Sequence, residues 1–469
     1  MNPPSSDRST ASTGKGRTST ISSLLGVWAL FLAFLFLQVG NGLQRILLPI
    51  RGEAEGFSAG SMGAVMAVHF AGYLVGAKTI SRALSAVGHI RVFAALASTA
   101  STAVLINAVL VLPVTWAVVY FVSGACNAGV LVVLESWLND RATNETRGSI
   151  LGAYMMVMMG GTAVGQLLLN VGSADGFELF VLSSVLISLA VVPVTLSAST
   201  AAPVPSDEKM PLRDLYRTIP SAVVGIVLCS FVQSAATSMA AVFGTESGMG
   251  AGRITLFTSA AVIGAITLQI PLGKLSDRYP RRAVILVVAT TSCGLACIGA
   301  LVPPTSVVLL IVNLIFGAFV FPLYGQFVAL ANDWVPDEKR VAAASTLVLA
   351  SSFGAMAAPM IIGMAVQTFG PSAYFWSLAT CLAVLALYLS YRVRVRQAVP
   401  VERQSTFQPI LARSGEIAHS VSKWVLHPLA GWHHHLDKHD CEVDERHPSH
   451  YTWPTDGSEG CPDTTFPGQ

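Results

Sequence analysis

A few residues able to bind charge or transfer protons lie inside otherwise apolar stretches of this sequence. Gln38, Asn41 and Arg45 recur at i, i+3 and i+7, which puts them within about 60° of one another on one face of a helix. A guanidinium on such a face could bind a carboxylate or another anion. Alternatively, Arg45 extends along the helix to the outer membrane interface beside Arg51. Both interpretations stay open.

Glu135 lies in the cytoplasmic third of the predicted span 114–138, about one helical turn from the polar loop, and the uncharged sequence GACNAGVLVVL precedes it. An ionisable group at membrane depth is costly and is therefore a candidate for function. Glu135 could be a carboxylate that takes up and releases a proton. It could equally be a structural anchor, hydrogen-bonded to the neighbouring helix near Trp137.

Other polar side chains could line the same cavity. His69 and Tyr73 are i, i+4 neighbours, so they form either a titratable pair or an interhelical hydrogen bond through the histidine. In the second half of the chain some neutral polar groups are expected to face the cavity and others to hold helices together. The candidates there are Gln233, Gln269 and Tyr324.

A different chemistry is available near the end of the chain, where the string WHHHLDKHDC occupies 432–441. Imidazole, thiolate and carboxylate groups at this density could bind zinc, nickel or copper. The spacing matches no closed zinc motif, so a solvated tail with incidental metal affinity is the alternative. The candidate ligands are His433, His434, His435, His439 and Cys441.

Composition shows which elements must position these residues. Of the 469 residues, 53% are hydrophobic and only 12% are charged, with a mean hydropathy of +0.61, whereas soluble domains carry about 25% charge. Since a membrane-spanning helix needs about 20 apolar residues, the chain predicts an all-α membrane protein with twelve spans. The predicted spans are 24–50, 59–81, 90–112, 114–138, 149–171, 177–198, 219–243, 253–273, 283–302, 305–331, 341–368 and 372–391.

The longest polar break inside this membrane body is 199–218, which carries three prolines and mixed charge. It predicts a cytoplasmic linker between two six-helix halves, 24–198 and 219–391. A disordered N-terminus, 1–23, and a His-rich cytoplasmic tail, 392–469, complete the predicted organisation.

Lysines and arginines predict the orientation. If the N-terminus is cytoplasmic, 17 of the basic residues that flank the spans lie inside, and only Arg45, Arg51 and Arg253 lie outside. This asymmetry follows the positive-inside rule and places both termini in the cytoplasm.

An internal repeat supports the two halves. The pattern ND-x4-E-x-R occurs at 139–147 and again at 332–340, an offset of 193 residues, each time after the corresponding helix. Two six-helix halves in parallel repeat are the architecture of the major facilitator superfamily. The repeat contributes these candidate gating residues: Asn139, Asp140, Arg147, Asn332, Asp333 and Arg340.

The segment GKLSDRYPRR at 273–282 resembles that superfamily's signature loop, G-x-L-x-D-R-x-x-R-R. By this resemblance, the loop holds the inner gate closed until substrate or ion binding releases it. The first-half copy lacks the acidic residue, with Ser85 near its place, so gating is expected to be asymmetric. The gating residues in the complete copy are Gly273, Asp277, Arg278, Arg281 and Arg282.

Longer strings, among them LESWLNDRATNETRGSILGAYM at 134–155 and the run from 321 to 359, resemble the YcaD-like branch of the superfamily. The resemblance covers 24–391 and implies a bacterial inner-membrane transporter whose halves rock about a central site. It leaves the substrate open. Tyr120 stands where many members carry an arginine linked with proton coupling, which puts coupling by that arginine in doubt.

Together these features predict a secondary active transporter that moves a small, anionic solute by alternating access, coupled to protons. It is expected to be a monomer in the bilayer, without cofactor or nucleic-acid partner. No P-loop, nucleophile elbow or HExxH motif appears in the sequence, so no enzyme is predicted. The alternative is a membrane receptor or scaffold that does not transport and signals through the metal-capable tail.

Overall fold

The computed structural model describes residues 28–141, 147–174, 176–196, 211–336 and 339–395. Within them, twelve helices are long and apolar enough to cross a membrane, as the sequence predicts. The spans, numbered first to twelfth in chain order, are Trp28–Ala54, Ala59–Ile80, His89–Val109, Pro113–Leu138, Gly152–Val171, Glu178–Leu196, Pro220–Ser238, Ala251–Arg278, Arg281–Leu301, Val307–Asn332, Ala342–Phe369 and Ala373–Val395.

Three spans are broken or extended in ways that the hydropathy pattern does not reveal. The sixth is divided into Glu178–Leu189 and Val191–Leu196, and Ala240–Glu246 follows the seventh after one residue. The tenth consists of Val307–Val320 and Pro322–Asn332. The last break has a direct cause, since Pro322 has no backbone N–H to continue the helical hydrogen bonds.

Glycines set the close helix crossings inside each half, and they recur with the repeat. A Cβ atom on Gly72 of the second span would lie 2.8 Å from the carbonyl carbon of Phe121 in the fourth. The corresponding atom on Gly264 of the eighth span would lie 2.9 Å from that of Leu314 in the tenth. The two pairs are displaced by 192 and 193 residues, so the internal repeat is visible in the packing as well as in the loops.

The two halves meet near the beginning of the second span. There a Cβ on Gly363 of the eleventh span would lie 2.9 Å from the Cα of Gly63, and one on Gly63 would lie 3.0 Å from the Cα of Gly363. We call this crossing of Gly63 and Gly363 the interhalf contact. A second pair of spans also joins the halves, since Ser259 of the eighth span donates a hydrogen bond to Gln166 of the fifth at 3.3 Å. The interhalf contact lies opposite the loop end, where the eighth span finishes.

Candidate functional site

A cavity of about 130 Å³ lies between the two halves, and nine residues of each half line it. From the first half these are Gln38, Arg45, Phe70, Tyr73, Asn127, Leu131, Met158, Met159 and Thr162. From the second half they are Ser230, Gln233, Ser234, Thr237, Val262, Phe321, Ser351, Ser352 and Ala355.

Arg45 is the cation of this cavity. It also borders a much smaller adjoining pocket of about 10 Å³, so it lies where the two spaces meet. Among the described residues, the Arg45 guanidinium has no hydrogen bond and no ion pair. Arg51, near the end of the same helix, instead pairs with Glu55. The cavity therefore contains a positive charge that no described carboxylate neutralises.

The polar face predicted around Arg45 is positioned by the fifth and fourth spans. Gln38 lines the cavity and donates from Nε2 to the backbone oxygen of Met158 at 3.4 Å. Asn41 does not line the cavity. Its Nδ2 donates to Oδ1 of Asn127 at 3.4 Å, and Asn127 is the lining residue.

His69 and Tyr73 face different spaces. Nδ1 of His69 lies 3.3 Å from the backbone oxygen of Tyr120, the two rings are 4.5 Å apart, and both residues border the smaller pocket. Tyr73 lines the main cavity. His69 thus lies within hydrogen-bonding distance of the neighbouring helix, whereas Tyr73 lies in the cavity.

Glu135 is 3% exposed and accepts a hydrogen bond from the Tyr154 hydroxyl at 2.8 Å. The Tyr154 ring stacks on Phe34 with centroids 4.8 Å apart, which fixes the hydroxyl. Tyr324 of the second half is close enough to interact electrostatically with both Glu135 and Tyr73. Glu135 does not line the cavity itself, but it belongs to a buried cluster that includes one cavity residue and one residue of the other half.

In the second half, Gln233 lines the cavity and forms hydrogen bonds at the break in the tenth span. Its Nε2 donates to the backbone oxygens of Val320 and Phe321, both at 3.0 Å. Of the other two predicted residues, Gln269 and Tyr324 are both buried and neither lines the cavity.

The sequence prediction missed the seventh-span residues around Gln233. Ser230 and Thr237 stand 192 residues after Gln38 and Arg45, and all four line the cavity. The loop offset of 193 residues misses both by one position, because it leads from Gln38 and Arg45 to Phe231 and Ser238. Tyr154 had no signal in the sequence, because a tyrosine in an apolar run is most often ordinary packing.

At the loop end, Arg281 binds two other predicted gating residues of the second half, Asp333 and Asp277. Its Nη1 donates to both carboxylate oxygens of Asp333, at 2.9 and 3.0 Å, and both side chains are 1% exposed. Its Nη2 reaches Asp277 at 3.3 Å, and Nε donates to Ser276 at 3.1 Å. This fork-like arrangement ties the loop after the eighth span to the end of the tenth.

The remaining loop residues flank that pair. The Arg282 guanidinium lies 5.5 Å from the centre of the Trp334 ring, a cation–π contact. Gly273 is buried, Asn332 is partly buried and Arg278 is exposed.

The first half has a different arrangement at the matching place. His89, the first residue of the third span, has Nε2 3.3 Å from the Ser136 hydroxyl and stacks on Trp137 at 5.5 Å. Ser85 donates to a backbone oxygen of its own helix. The side chains of Asn139, Asp140, Arg147 and Arg340 lie outside the described residues.

The predicted metal ligands His433, His434, His435, His439 and Cys441 also lie outside the described residues. Within the described ranges, no group of three or more His, Cys, Asp or Glu side chains is arranged to hold a metal ion.

Known proteins are similar to this chain along most of its length. Residues 222–433 match the family model of the Major Facilitator Superfamily. The MFS-type transporter YcaD of Escherichia fergusonii is 24% identical over 371 residues, which cover 78% of this chain and 96% of that protein.

Two solved structures share the fold. The nucleoside transporter NupG has a TM-score of 0.67 at 12% identity and covers 79% of this chain and 100% of its own. A D-xylose–proton symporter has a TM-score of 0.61 at 14% identity and covers 82% and 99%. With twelve spans and a cavity between two repeated halves, the chain is similar to transporters of the major facilitator superfamily, among them those of the YcaD type.

Proposed function

We propose that this protein carries a small anionic solute across the membrane by alternating access, coupled to protons. The observation that carries the proposal is the Arg45 guanidinium in the cavity between the halves, which forms no ion pair with any residue that the structure describes. Leaving a cation without a counter-charge inside a membrane protein is costly, and an anion bound there would offset that cost through charge-assisted hydrogen bonds.

The size of the cavity restricts the solute. An engineered cavity of about 150 Å³ accommodates benzene, so 130 Å³ suits a solute of about six non-hydrogen atoms. Met158, Met159, Leu131 and Phe70 supply apolar surface for a short carbon skeleton.

The two six-helix halves, 24–198 and 219–391, would be the moving bodies, and 199–218 the linker between them. The interhalf contact would close one end, and glycine at both Gly63 and Gly363 lets the two backbones approach closely. At the other end, the buried Arg281–Asp333 pair keeps the loop and the tenth span of the second half together as that half moves.

Proton coupling would depend on Glu135. Its carboxylate is buried, and its bond to Tyr154 and proximity to Tyr324 link it to both halves. Protonation of Glu135 would remove the negative charge that the Tyr154 hydroxyl stabilises and so alter a contact shared between the halves.

The chain would act as a monomer in the bacterial inner membrane, with both termini and the loop end in the cytoplasm. This orientation rests on the distribution of Lys and Arg, and it makes the interhalf contact the outer gate.

Binding is the first test. We expect propionate, but not its neutral isostere propionamide, to raise the melting temperature of the purified protein at constant ionic strength, because ligand binding stabilises the folded state. Replacing Arg45→Gln should weaken propionate binding by about tenfold or more, the equivalent of one charge-assisted hydrogen bond. Arg45→Lys, which keeps the charge, should lose less. Equal binding of acid and amide would contradict the anion site.

Coupling is tested in proteoliposomes. Glu135→Gln should keep exchange of propionate between the two sides but abolish its accumulation against a concentration gradient when a pH gradient is imposed. Full accumulation by this variant would show that Glu135 does not couple protons. Removing residues 396–469 should leave binding and exchange unchanged, whereas loss of all activity on truncation would favour the receptor or scaffold.

A further inference from the structure

The seventh span presents a polar ladder to the cavity that nothing in the transport proposal uses. Ser230, Gln233, Ser234 and Thr237 follow one another at i, i+3, i+4 and i+7, so they share one helical face, and all four line the cavity. Ser230 and Thr237 stand 192 residues after Gln38 and Arg45, and all these residues line the same cavity.

Within this ladder and the rest of the cavity lining, Ser230 differs from the other serines and threonines. Ser234 donates to Ala355 at 2.7 Å. The hydroxyls of Thr162, Thr237, Ser351 and Ser352 all donate to backbone oxygens of their own helices. The Ser230 hydroxyl is buried, and among the described residues it has no hydrogen-bond partner. A buried polar group without a partner is unusual in a folded protein and calls for an explanation.

One helical turn away, Gln233 has a fixed orientation. Two backbone oxygens, those of Val320 and Phe321, accept from its side-chain nitrogen, and a carbonyl oxygen could not take that place. The side-chain oxygen of Gln233 therefore has no role in these bonds. Because residues at i and i+3 are neighbours on a helix surface, Ser230 offers a hydroxyl and Gln233 an acceptor on adjacent parts of the wall.

A substrate hydroxyl is both a donor and an acceptor, and this pair matches it: it would donate to the Gln233 oxygen and accept from Ser230. We infer that the cavity recognises a hydroxyl group in addition to the anionic group, so that the substrate is a small hydroxycarboxylate. The inference rests on the proposed function, because Arg45 must bind the carboxylate.

Ser230 and Arg45 line the same cavity of about 130 Å³, so both groups are available to one small molecule. An ammonium group could also bind two acceptors. However, the described cavity lining holds one arginine and no carboxylate, so a net anion is favoured over a zwitterion.

The test compares molecules that differ only at carbon 2: lactate with a hydroxyl, propionate with hydrogen and alanine with an ammonium. Their dissociation constants are measured on the intact protein by calorimetry at constant ionic strength, with 2-hydroxybutyrate and butyrate as a second pair. Lactate should bind about tenfold or more tightly than propionate, since a site built for a hydroxyl leaves its own groups unpaired with the deoxy compound. Alanine should bind more weakly than lactate.

Two variants locate the preference. Ser230→Ala should reduce the lactate preference toward unity and leave propionate binding unchanged. Ser352→Ala is the matched control, since its hydroxyl lines the same cavity but already donates to Val348, and it should keep the preference.

The outcomes separate the two proposals. Equal binding of lactate and propionate, with both dependent on Arg45, would overturn the hydroxyl site and leave the anion transporter standing. Tighter binding of alanine would overturn it in favour of an amino acid. Dissociation constants that are unchanged in Arg45→Gln would count against the proposed function itself. The comparison of lactate with propionate on the unaltered protein decides the inference even if Ser230→Ala does not fold.

Discussion

The interhalf contact gives the sharpest prediction about movement. If the halves separate there during transport, a methyl group at Gly63 should disfavour the state in which they touch. The added Cβ would meet the carbonyl group of Pro359 and lie 3.0 Å from the Cα of Gly363. Both obstacles are backbone atoms, so neither can rotate out of the way.

The magnitude follows from the cost of inserting a methyl group into a tightly packed interior, about 1–3 kcal/mol. This cost raises the free energy of the closed state only. Gly63→Ala should therefore shift the equilibrium toward the state open at this end by about 5- to 150-fold. The assay is the distribution of distances between spin labels at Glu53 and Thr368. Both positions are exposed and lie at this end in different halves.

Two alanine substitutions serve as matched controls. A Cβ on Gly160 would meet nothing within 4 Å, so Gly160→Ala reports only the helix propensity of alanine, which acts equally on both states. Gly72 contacts Phe121 within one half, so Gly72→Ala should lower thermal stability without changing the distances. A Gly63→Ala distribution that matches the Gly160→Ala distribution would refute the view that this contact opens.

Two further predictions concern buried charge. Asp333→Asn should lower the free energy of unfolding by about 3–5 kcal/mol, because it removes the buried carboxylate charge that pairs with Arg281. Asp277→Asn changes a side chain that is 29% exposed and 3.3 Å from Arg281, so it should cost about 1 kcal/mol or less. Chemical denaturation in detergent measures both costs, and equal costs would contradict the pairing. Tyr154→Phe should cost about 1.5–3 kcal/mol in the native protein but markedly less in Glu135→Gln, and a double-mutant cycle without coupling would show that the hydroxyl does not stabilise a carboxylate charge.

The sequence predicted the spans well because a membrane span is defined by the length and apolarity of one segment, and both are local properties. The repeat offset likewise predicted the correspondence of the halves. Breaks were missed where a single residue decides them: Pro322 lies in an apolar run, and only the structure shows Gln233 satisfying the carbonyls that the break leaves.

The cavity was predictable only in part, for a physical reason. Helical periodicity gives the face on which Gln38 and Arg45 lie, but it does not give the neighbour of each side chain. Asn41 and Gln269 have the same polarity as the lining residues and differ from them only in what they pack against. Which polar residue faces the cavity depends on contacts between segments far apart in the chain.

Exchange of labelled propionate across proteoliposome membranes tests the central claim most directly. The account predicts that propionate loaded inside accelerates the entry of labelled propionate through the unaltered protein. Arg45→Gln should abolish this exchange, and Arg45→Lys should retain part of it, because the cation in the cavity between the halves holds the solute during transit. Exchange at the native rate through folded Arg45→Gln would contradict the claim.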